Sequence, residues 1–509
     1  MTGTGSEIPV EGNDGLRRAV SLLLLLSRID FSNEQKRLIA EEIKIFNEWK
    51  HLAGLAVRHG VAALIWQNLS DLGHAGEVPA TERTILEGLR FKTIARVSWI
   101  TETAARVTAL LEREGIKVVL LKGLALEHTV YGSKGLRQMS DADILVAPSD
   151  ALSARDILVR EGFRSMSLKS PLYRHIILDL GNHLPELHRG GISVDLHYRL
   201  FGPEGEEMVE RAIRDSVIIT GIGREPDRNA AVTRESEADH DREGAPGLIG
   251  DAEINTGVSC EAGGSARVTQ GKGVSAEAGN NEEAGAGLVG DAESSPITSS
   301  GVGSPDIALS REAGTPGGAL STATPGTGTF RILPPMTAFL ALVSHIYKHE
   351  IKGEFQLRLW TDIYLLLERY GKQILTSGLA DATEEAGIRK ETAVVLTVMK
   401  QVWGVVLPDG MTVSSDAENA VVARFMNRLA HPESVESLTQ REMFMRNLRA
   451  LKSPLKKFIF ILGDIFPSVG FMKRRYNCRY KTAAFLFYPH RLGKILWILG
   501  LLRTEKYNT

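Results

Sequence analysis

Apolar residues recur every three or four positions along both ends of the chain. In residues 15–115 the period is clear in NEWKHLAGLAVRHGVAALIWQNL, and it is typical of helices with one buried face. The same period returns in residues 329–452, in MTAFLALVSHIYKHE and LRLWTDIYLLLERYG. We therefore predict a helical N-terminal region and a helical C-terminal domain.

Between residues 116 and 220 the pattern changes to short strands that alternate with helices. The run IKVVLL is followed by the dipeptide KG and the helical stretch LALEHTVY, and two further strand-like runs are DADILV and ISVDLHYRL. This alternation predicts an α/β core, a sheet with helices packed on it, within an α+β chain.

Residues 221–328 are rich in Gly, Ala, Ser, Thr, Pro and Glu and contain few large apolar side chains. Such a segment cannot bury enough apolar surface to offset the entropy lost on ordering, so we predict a disordered insertion. The flanking runs SVIITGI and FRILPP resemble strands, which would place the insertion at the tip of one hairpin. Residues 1–14 are polar, lack a secretory signal and are predicted to be a disordered N-terminus.

The tail, residues 453–509, combines apolar with basic residues, as in KKFIFILGDIFP and MKRRYNCRYK. This composition suits docking on the protein's own core, contact with an acidic partner, or peripheral contact with a membrane surface. The run ILWILGLL is far shorter than the roughly 20 residues that cross a bilayer. No transmembrane segment is predicted.

The overall charge excludes one class of partner. The chain has 60 basic and 62 acidic residues, a formal net charge of -2, so no general nucleic-acid binding is expected. Its two cysteines have no paired spacing and support neither a disulfide framework nor a cysteine zinc site. A reducing, cytoplasmic location fits this cysteine usage.

Three acidic residues in the core are the main candidates for chemistry. Asp141 and Asp143 lie two residues apart in a predicted strand, so both carboxylates point to the same face. Asp195 lies in a second predicted strand, and if the two strands are neighbours the three carboxylates converge and repel one another unless divalent cations neutralise them. We predict that they are the catalytic and metal-binding set, with two Mg²⁺ or Mn²⁺ ions and with Asp195 able to accept a proton from the acceptor.

Four residues are candidates for binding the cofactor and nucleotide. Lys122 and Gly123 end a predicted strand and open a helix, where backbone N–H groups and the helix dipole can receive phosphate. Arg137 is a candidate phosphate clamp because its planar guanidinium makes paired hydrogen bonds to phosphate oxygens. His197 shares a face with Asp195 and is the histidine best placed for a role in the site.

The remaining histidines raise the alternative of a zinc site. His345 and His349 are one helical turn apart, and His183 and His188 flank the segment LPEL. No Glu stands beside His345 in the arrangement that a zinc hydrolase uses. Helix packing, or hydrogen bonding around a site, accounts for these histidines better.

The string VVLLKGLALEHTVYGSKGLRQMSDADILV resembles the uncharacterised bacterial nucleotidyltransferase family of the DNA polymerase beta-like superfamily. EWKHLAGLAVRHGV, VDLHYRL, LALVSHIYKH with TDIYLLL, and FPSVGFMKRRY are also similar to that family, so the resemblance extends over most of the chain outside the insertion. It implies a polymerase-beta-type mixed sheet, two magnesium ions, and acids at Asp141, Asp143 and Asp195. In one departure, Gly123-Leu124 stands where the wider superfamily usually has Gly-Ser, so no serine hydroxyl can meet the phosphates there.

These observations predict a metal-dependent nucleotidyltransferase that moves a nucleoside monophosphate from a nucleoside triphosphate to a hydroxyl acceptor and releases pyrophosphate. The acceptor is a small molecule, a sugar or a protein. The alternative is a non-catalytic protein of the same fold that binds a nucleotide or a partner, including one at a membrane surface in envelope biosynthesis.

Overall fold

The computed structural model describes residues 14–201, 206–222, 328–408, 410–478, 480 and 482–500. The two segments predicted to be disordered, 1–14 and 221–328, lie outside these ranges except for the residues at their edges. The described residues form a mixed sheet with helices before and after it, so the α+β prediction is confirmed.

The N-terminal region is helical, as its apolar period predicts. The helix Asn33–Lys44 begins with a capping box. The Ser32 hydroxyl accepts a hydrogen bond from the backbone N–H of Gln35, and the Gln35 side chain accepts one from the backbone N–H of Ser32. Five helices make up this region: α1 (Asp14–Leu26), α2 (Asn33–Lys44), α3 (Trp49–Arg58), α4 (Ala62–Asp71) and the long α5 (Ala80–Arg113).

The sheet contains seven strands within the described residues: β1 (Val119–Leu120), β2 (Asp141–Leu145), β3 (Arg164–Ser165), β4 (Leu187–Arg189), β5 (Ile192–His197), β6 (Val217–Ile222) and β7 (Gly328–Ile332). Their order across the sheet is β3-β4-β5-β2-β1-β7-β6. The strands β2 and β5 pair in parallel, and β1 pairs antiparallel with β2. The predicted hairpin is confirmed, because β6 and β7 pair antiparallel on either side of residues 223–327.

Three helices belong to the sheet region and connect its strands. They are α6 (Lys122–Thr129), α7 (Ala151–Arg160) and α8 (Glu206–Arg214). Short 3₁₀ helices at Pro171–His175 and Ile177–Asp179 precede β4. The strand, turn and helix predicted around KG are therefore present as β1 and α6.

All regular elements described after β7 are helices. The α-helices are α9 (Pro335–Ile351), α10 (Leu357–Ile374), α11 (Leu379–Glu385), α12 (Arg389–Trp403), α13 (Ser415–Ala430), α14 (Gln440–Ala450), α15 (Pro454–Ile465), α16 (Val469–Arg475) and α17 (Tyr488–Ile498). Short 3₁₀ helices lie at Pro432–Ser434 and Thr482–Phe487. None of the described helices combines the length and the apolar character needed to cross a bilayer.

Three groups of buried side chains hold these elements together. The largest joins α1–α5 to α9–α13 and includes residues of β1 and β2, so the helices before and after the sheet share one core. A second group packs α5, α6 and α7 against the sheet, and a third joins α14, α15 and α17 to the 3₁₀ helices before β4. The strands that carry the acidic residues are thus supported by segments far apart in sequence.

Candidate active site

The adjacent strands β2 and β5 bring two of the predicted acids together. In this parallel pair Asp143 lies opposite Asp195, and Asp141 lies opposite Ser193. Both Asp143 and Asp195 are buried. The predicted convergence of carboxylates from distant segments therefore occurs for this pair.

Asp143 is held by two nitrogen donors at the same oxygen. Lys122 Nζ and His197 Nε2 each lie 2.8 Å from Asp143 Oδ1. Burial acts to raise the pKa of Asp143, but the Lys122 ammonium and the His197 hydrogen bond outweigh it and hold that pKa well below its usual range. Asp143 is consequently a carboxylate at any ordinary pH.

Asp195 has a different environment. Its Oδ1 is buried and has no hydrogen-bond partner among the described residues. Burial, together with the negative charges of Asp143 and Asp141, raises the pKa of Asp195 to about 8, although His183 acts in the opposite direction. A buried acceptor without a donor, beside a second carboxylate, is an arrangement that a cation stabilises.

The group that fits one metal ion consists of Asp143, Asp195 and His197. One ligand atom from each lies within 4.8 Å of the others. The two carboxylates suit Mg²⁺ or Mn²⁺, whereas the imidazole is a donor typical of transition metals such as Zn²⁺. Asp141 lies outside this group, at the start of β2 and partly exposed, although its charge still reaches Asp195. His197 was predicted from its strand position as a neighbour of the acids, and the structure places it in contact with one of them.

The turn between β1 and α6 brings Lys122 to Asp143. The Leu121 N–H donates to the Asp143 carbonyl oxygen at 3.0 Å, because β1 and β2 are neighbouring strands. The backbone of Lys122 has φ of 44°, in the left-handed region that favours glycine. Lys122 therefore combines a strained backbone with an ion pair to Asp143, and this pair holds its side chain near the acids.

The Arg137 guanidinium forms a buried ion pair, so two of its nitrogens are already bonded within the protein. Its Nε lies 3.0 Å from Asp362 Oδ1 and its Nη2 lies 2.8 Å from Asp362 Oδ2. The Tyr131 hydroxyl donates to the same carboxylate at 2.8 Å. Although burial acts to lower the pKa of Arg137, Asp362 raises it above its usual value. A phosphate contact by Arg137 stays a prediction, and the remaining nitrogen, Nη1, is the atom beside Gly123.

Gly123 is required at this turn by the guanidinium next to it. A Cβ at this position would lie 2.8 Å from Arg137 Cζ and closer still to Nη1. Arg137 cannot withdraw without breaking its bonds to Asp362. Gly123 therefore lets the start of α6 approach the guanidinium, which accounts for the glycine in physical terms.

We expect Gly123→Ala to lower the free energy of unfolding by about 1–3 kcal/mol, because the added methyl group forces Arg137 out of place. Gly88→Ala is the matched control: it is exposed on α5, and a Cβ there meets nothing within 4 Å. That control should be neutral or stabilising by up to about 1 kcal/mol, since alanine favours helix. Urea unfolding of both variants measures the difference, and equal stabilities would show that the contact with Arg137 is not restrictive.

The other histidines form no zinc group within the described residues. His345 Nε2 lies 3.3 Å from His349 Nε2, and His349 Nδ1 lies 2.6 Å from Glu354 Oε2. Burial lowers the pKa of His345, and the positive charges of Lys122 and Arg137 lower it further, so His345 lies beside the site. His183 lies against the His197 ring, with 5.2 Å between centroids, and His188 Nε2 lies 3.3 Å from Glu186.

Two acids outside the predicted set of site residues position the site. Glu127 accepts from the backbone N–H groups of Gly135, Leu136 and Arg137, which shapes the loop before β2. Asp362 holds the Arg137 side chain from the other end of the chain. The available signal for Asp362 was a carboxylate inside the apolar helical run LRLWTDIYLLL, since a buried acid needs a partner.

Comparison with known proteins agrees with this geometry. Residues 47–222 match the model of a family described as uncharacterised nucleotidyltransferase. No curated protein and no solved structure matches the chain. The matched range includes α3 to β6 and all three acids, whereas the similar segments after residue 222 lie outside it. Over residues 47–222, the chain is therefore similar to the uncharacterised nucleotidyltransferase family.

Proposed function

We propose that the chain is a metal-dependent enzyme that transfers a nucleoside monophosphate from a nucleoside triphosphate to a hydroxyl acceptor. The observation that carries the proposal is the position of Asp143 and Asp195 at the same register of two parallel strands, with Lys122 bonded to one of them. Paired carboxylates at this spacing need a positive charge between them, and a metal-bound triphosphate would supply it.

The metal would be held by Asp143 and Asp195, with His197 or Asp141 completing its ligands. The unpartnered Oδ1 of Asp195 and the 4.8 Å grouping support this assignment. Magnesium or manganese, predicted as a pair of ions, would neutralise charge that develops on the phosphates. His197 also fixes Asp143, because its Nε2–H donates to the carboxylate oxygen that Lys122 shares.

Lys122 is proposed to bind the triphosphate. Its side chain is 16% exposed and is bonded to Asp143, so a phosphate that contacts the ammonium would lie near the acids. The N–H groups at the start of α6 are a second proposed source of phosphate contacts, and the Arg137 guanidinium lies beside Gly123 at the same turn. With Leu124 in place of a serine, these contacts come from the backbone and from Lys122.

The proposed reaction forms one phosphorus–oxygen bond and breaks another. The acceptor hydroxyl oxygen attacks the α-phosphorus, and the bond from that phosphorus to the oxygen bridging to the β-phosphate breaks. Pyrophosphate leaves with the electron pair, and the hydroxyl proton goes to a base, for which Asp195 is proposed through the carboxylate oxygen that does not hold the metal. The protein's part is chiefly positioning and charge neutralisation.

The experiment supplies the full chain with each triphosphate labelled at the α-phosphate, Mg²⁺ or Mn²⁺, and a cell extract as the source of acceptors. We expect label to appear in one acceptor class, with pyrophosphate released in equal amount, and EDTA to stop both. Mass spectrometry of the labelled product identifies the acceptor. Binding of nucleotide with magnesium, but no product with any acceptor, would favour the non-catalytic alternative, and transfer that is unaffected by EDTA would exclude the metal.

A further inference from the structure

The segment from α15 to α17 has an inner face that docks on the protein and an outer face that is apolar. On the inner face, the buried carboxylate of Asp464 accepts hydrogen bonds from Lys169, Tyr173 and Arg491. Arg491 Nη2 lies 3.0 Å from Asp464 Oδ2. Lys456 adds an ion pair to Asp179 at 2.7 Å. These contacts confirm that the tail docks on the protein's own core, one of the three options that its composition allowed.

The outer face leaves large apolar side chains in solvent. On α15, Leu455 and Phe458 are exposed, and Phe466 continues the same helical face at the C-cap. Phe485 and Leu486 are also exposed, the latter by 78%. We call these five residues the apolar patch. Helix packing within the described residues does not cover it.

Two members of the apolar patch, Phe466 and Phe485, are linked through a third aromatic ring. The centroid of the Tyr488 ring, at the start of α17, lies 6.1 Å from that of Phe466 and 5.8 Å from that of Phe485. The i, i+3 spacing of Leu455 and Phe458 places them on one side of α15. Phe466 and Phe485 are therefore part of a cluster rather than single surface residues, and such clusters mark interaction surfaces.

The basic and acidic residues of this segment are unequal in number. Residues 453–500 contain nine Lys and Arg residues and one acid, Asp464, which is buried in the inner face. Lys456 and Arg491 form the ion pairs of the inner face, and the remaining seven basic residues give the segment its positive charge. The segment is therefore attracted to negatively charged surfaces.

We propose that the apolar patch and the basic residues around it dock on an anionic phospholipid bilayer. Exposed Leu and Phe side chains enter the boundary between headgroups and acyl chains, and Lys and Arg bind the anionic headgroups. The phosphates of a nucleic acid could bind the Lys and Arg side chains. They would offer no apolar contact to aliphatic residues such as Leu455 and Leu486. A second copy of the chain would bring like charges together at the same face. This inference does not depend on the proposed function.

The test is flotation of the full chain with vesicles of phosphatidylcholine alone or mixed with phosphatidylglycerol. We expect flotation with the mixed vesicles only, weakened by high salt because surface charges are screened. Phe485→Ser combined with Leu486→Ser should reduce the bound fraction at least about tenfold, since two exposed apolar side chains no longer enter the bilayer. Lys473→Glu combined with Arg474→Glu should reduce it similarly.

The matched control is Phe91→Ser combined with Trp99→Ser, which removes two side chains on α5 that are exposed by 64% and 56%. This control should float like the wild type, and circular dichroism should show both pairs of variants folded. Equal flotation with neutral vesicles, no flotation at all, or equal loss in the α5 control would overturn the proposal. Binding to a DNA duplex in place of vesicles, or dimerisation abolished by the Phe485 and Leu486 changes, would do so as well.

Discussion

Replacing Asp195 with asparagine is expected to lower nucleotidyl transfer by roughly 10³-fold, about 4 kcal/mol of transition-state stabilisation. The same change should leave the metal-free protein as stable as the wild type, or more stable. Asparagine has nearly the same shape and replaces a buried carboxyl group whose ionisation is disfavoured by burial and by Asp143, and which has one oxygen without a donor. Loss of activity together with retained stability distinguishes a metal-binding role from a structural one.

Asp195→Asn is a better probe than the same change at Asp143. Asp143 neutralises Lys122 and accepts from His197, so its replacement leaves an ammonium without its carboxylate. Asp156→Asn serves as the control, because Asp156 is 59% exposed on α7 and pairs only with a surface arginine in the contacts described. Transfer by Asp195→Asn at the wild-type rate would remove the proposed mechanism.

Asp362→Asn is expected to lower the free energy of unfolding by about 3–5 kcal/mol. The change leaves the buried Arg137 guanidinium without a counter-charge, and it weakens the bond from the Tyr131 hydroxyl. Because Arg137 lies against Gly123, the β1–α6 turn should shift, and nucleotide binding should weaken with stability. Urea unfolding and nucleotide titration measure the two effects.

A double variant distinguishes the loss of the ion pair from the cost of leaving one buried charge alone. Arg137→Met with Asp362→Leu should cost less than either single change, since no buried charge is left alone. Asp156→Asn, which breaks an exposed pair at 2.8 Å, should change the free energy of unfolding by no more than about 1 kcal/mol. If Asp362→Asn is as mild as that control, the Arg137–Asp362 pair does not hold the turn.

Local patterns were sufficient for the strands that carry the acids. Period-two placement put Asp141 and Asp143 on one face, and the register of β2 with β5 sets Asp195 opposite Asp143. The hairpin around residues 223–327 was likewise predictable. Both of its strands contain β-branched residues, which favour strands, although the two strands are far apart in the sequence. The six-segment domain division stays a prediction.

Contacts between distant segments were beyond the reach of these patterns. Arg137 was predicted as a phosphate ligand from its position before β2, but its partner Asp362 lies on α10, and spacing within the chain carries no information about that meeting. The same reason explains His345, whose proximity to Lys122 depends on α9 packing near α6. The shared core of α1–α5 and α9–α13 is also a tertiary feature that helical periodicity does not specify.

The most direct test of the metal site is a crystal of the protein grown with Mn²⁺ and a triphosphate that cannot be cleaved at its α-phosphate, with the manganese located by anomalous scattering. We expect a peak between the carboxylates of Asp143 and Asp195, with the triphosphate beside Lys122 and the start of α6. Manganese and nucleotide bound elsewhere on the protein, with the Asp143–Lys122 pair undisturbed, would contradict the account.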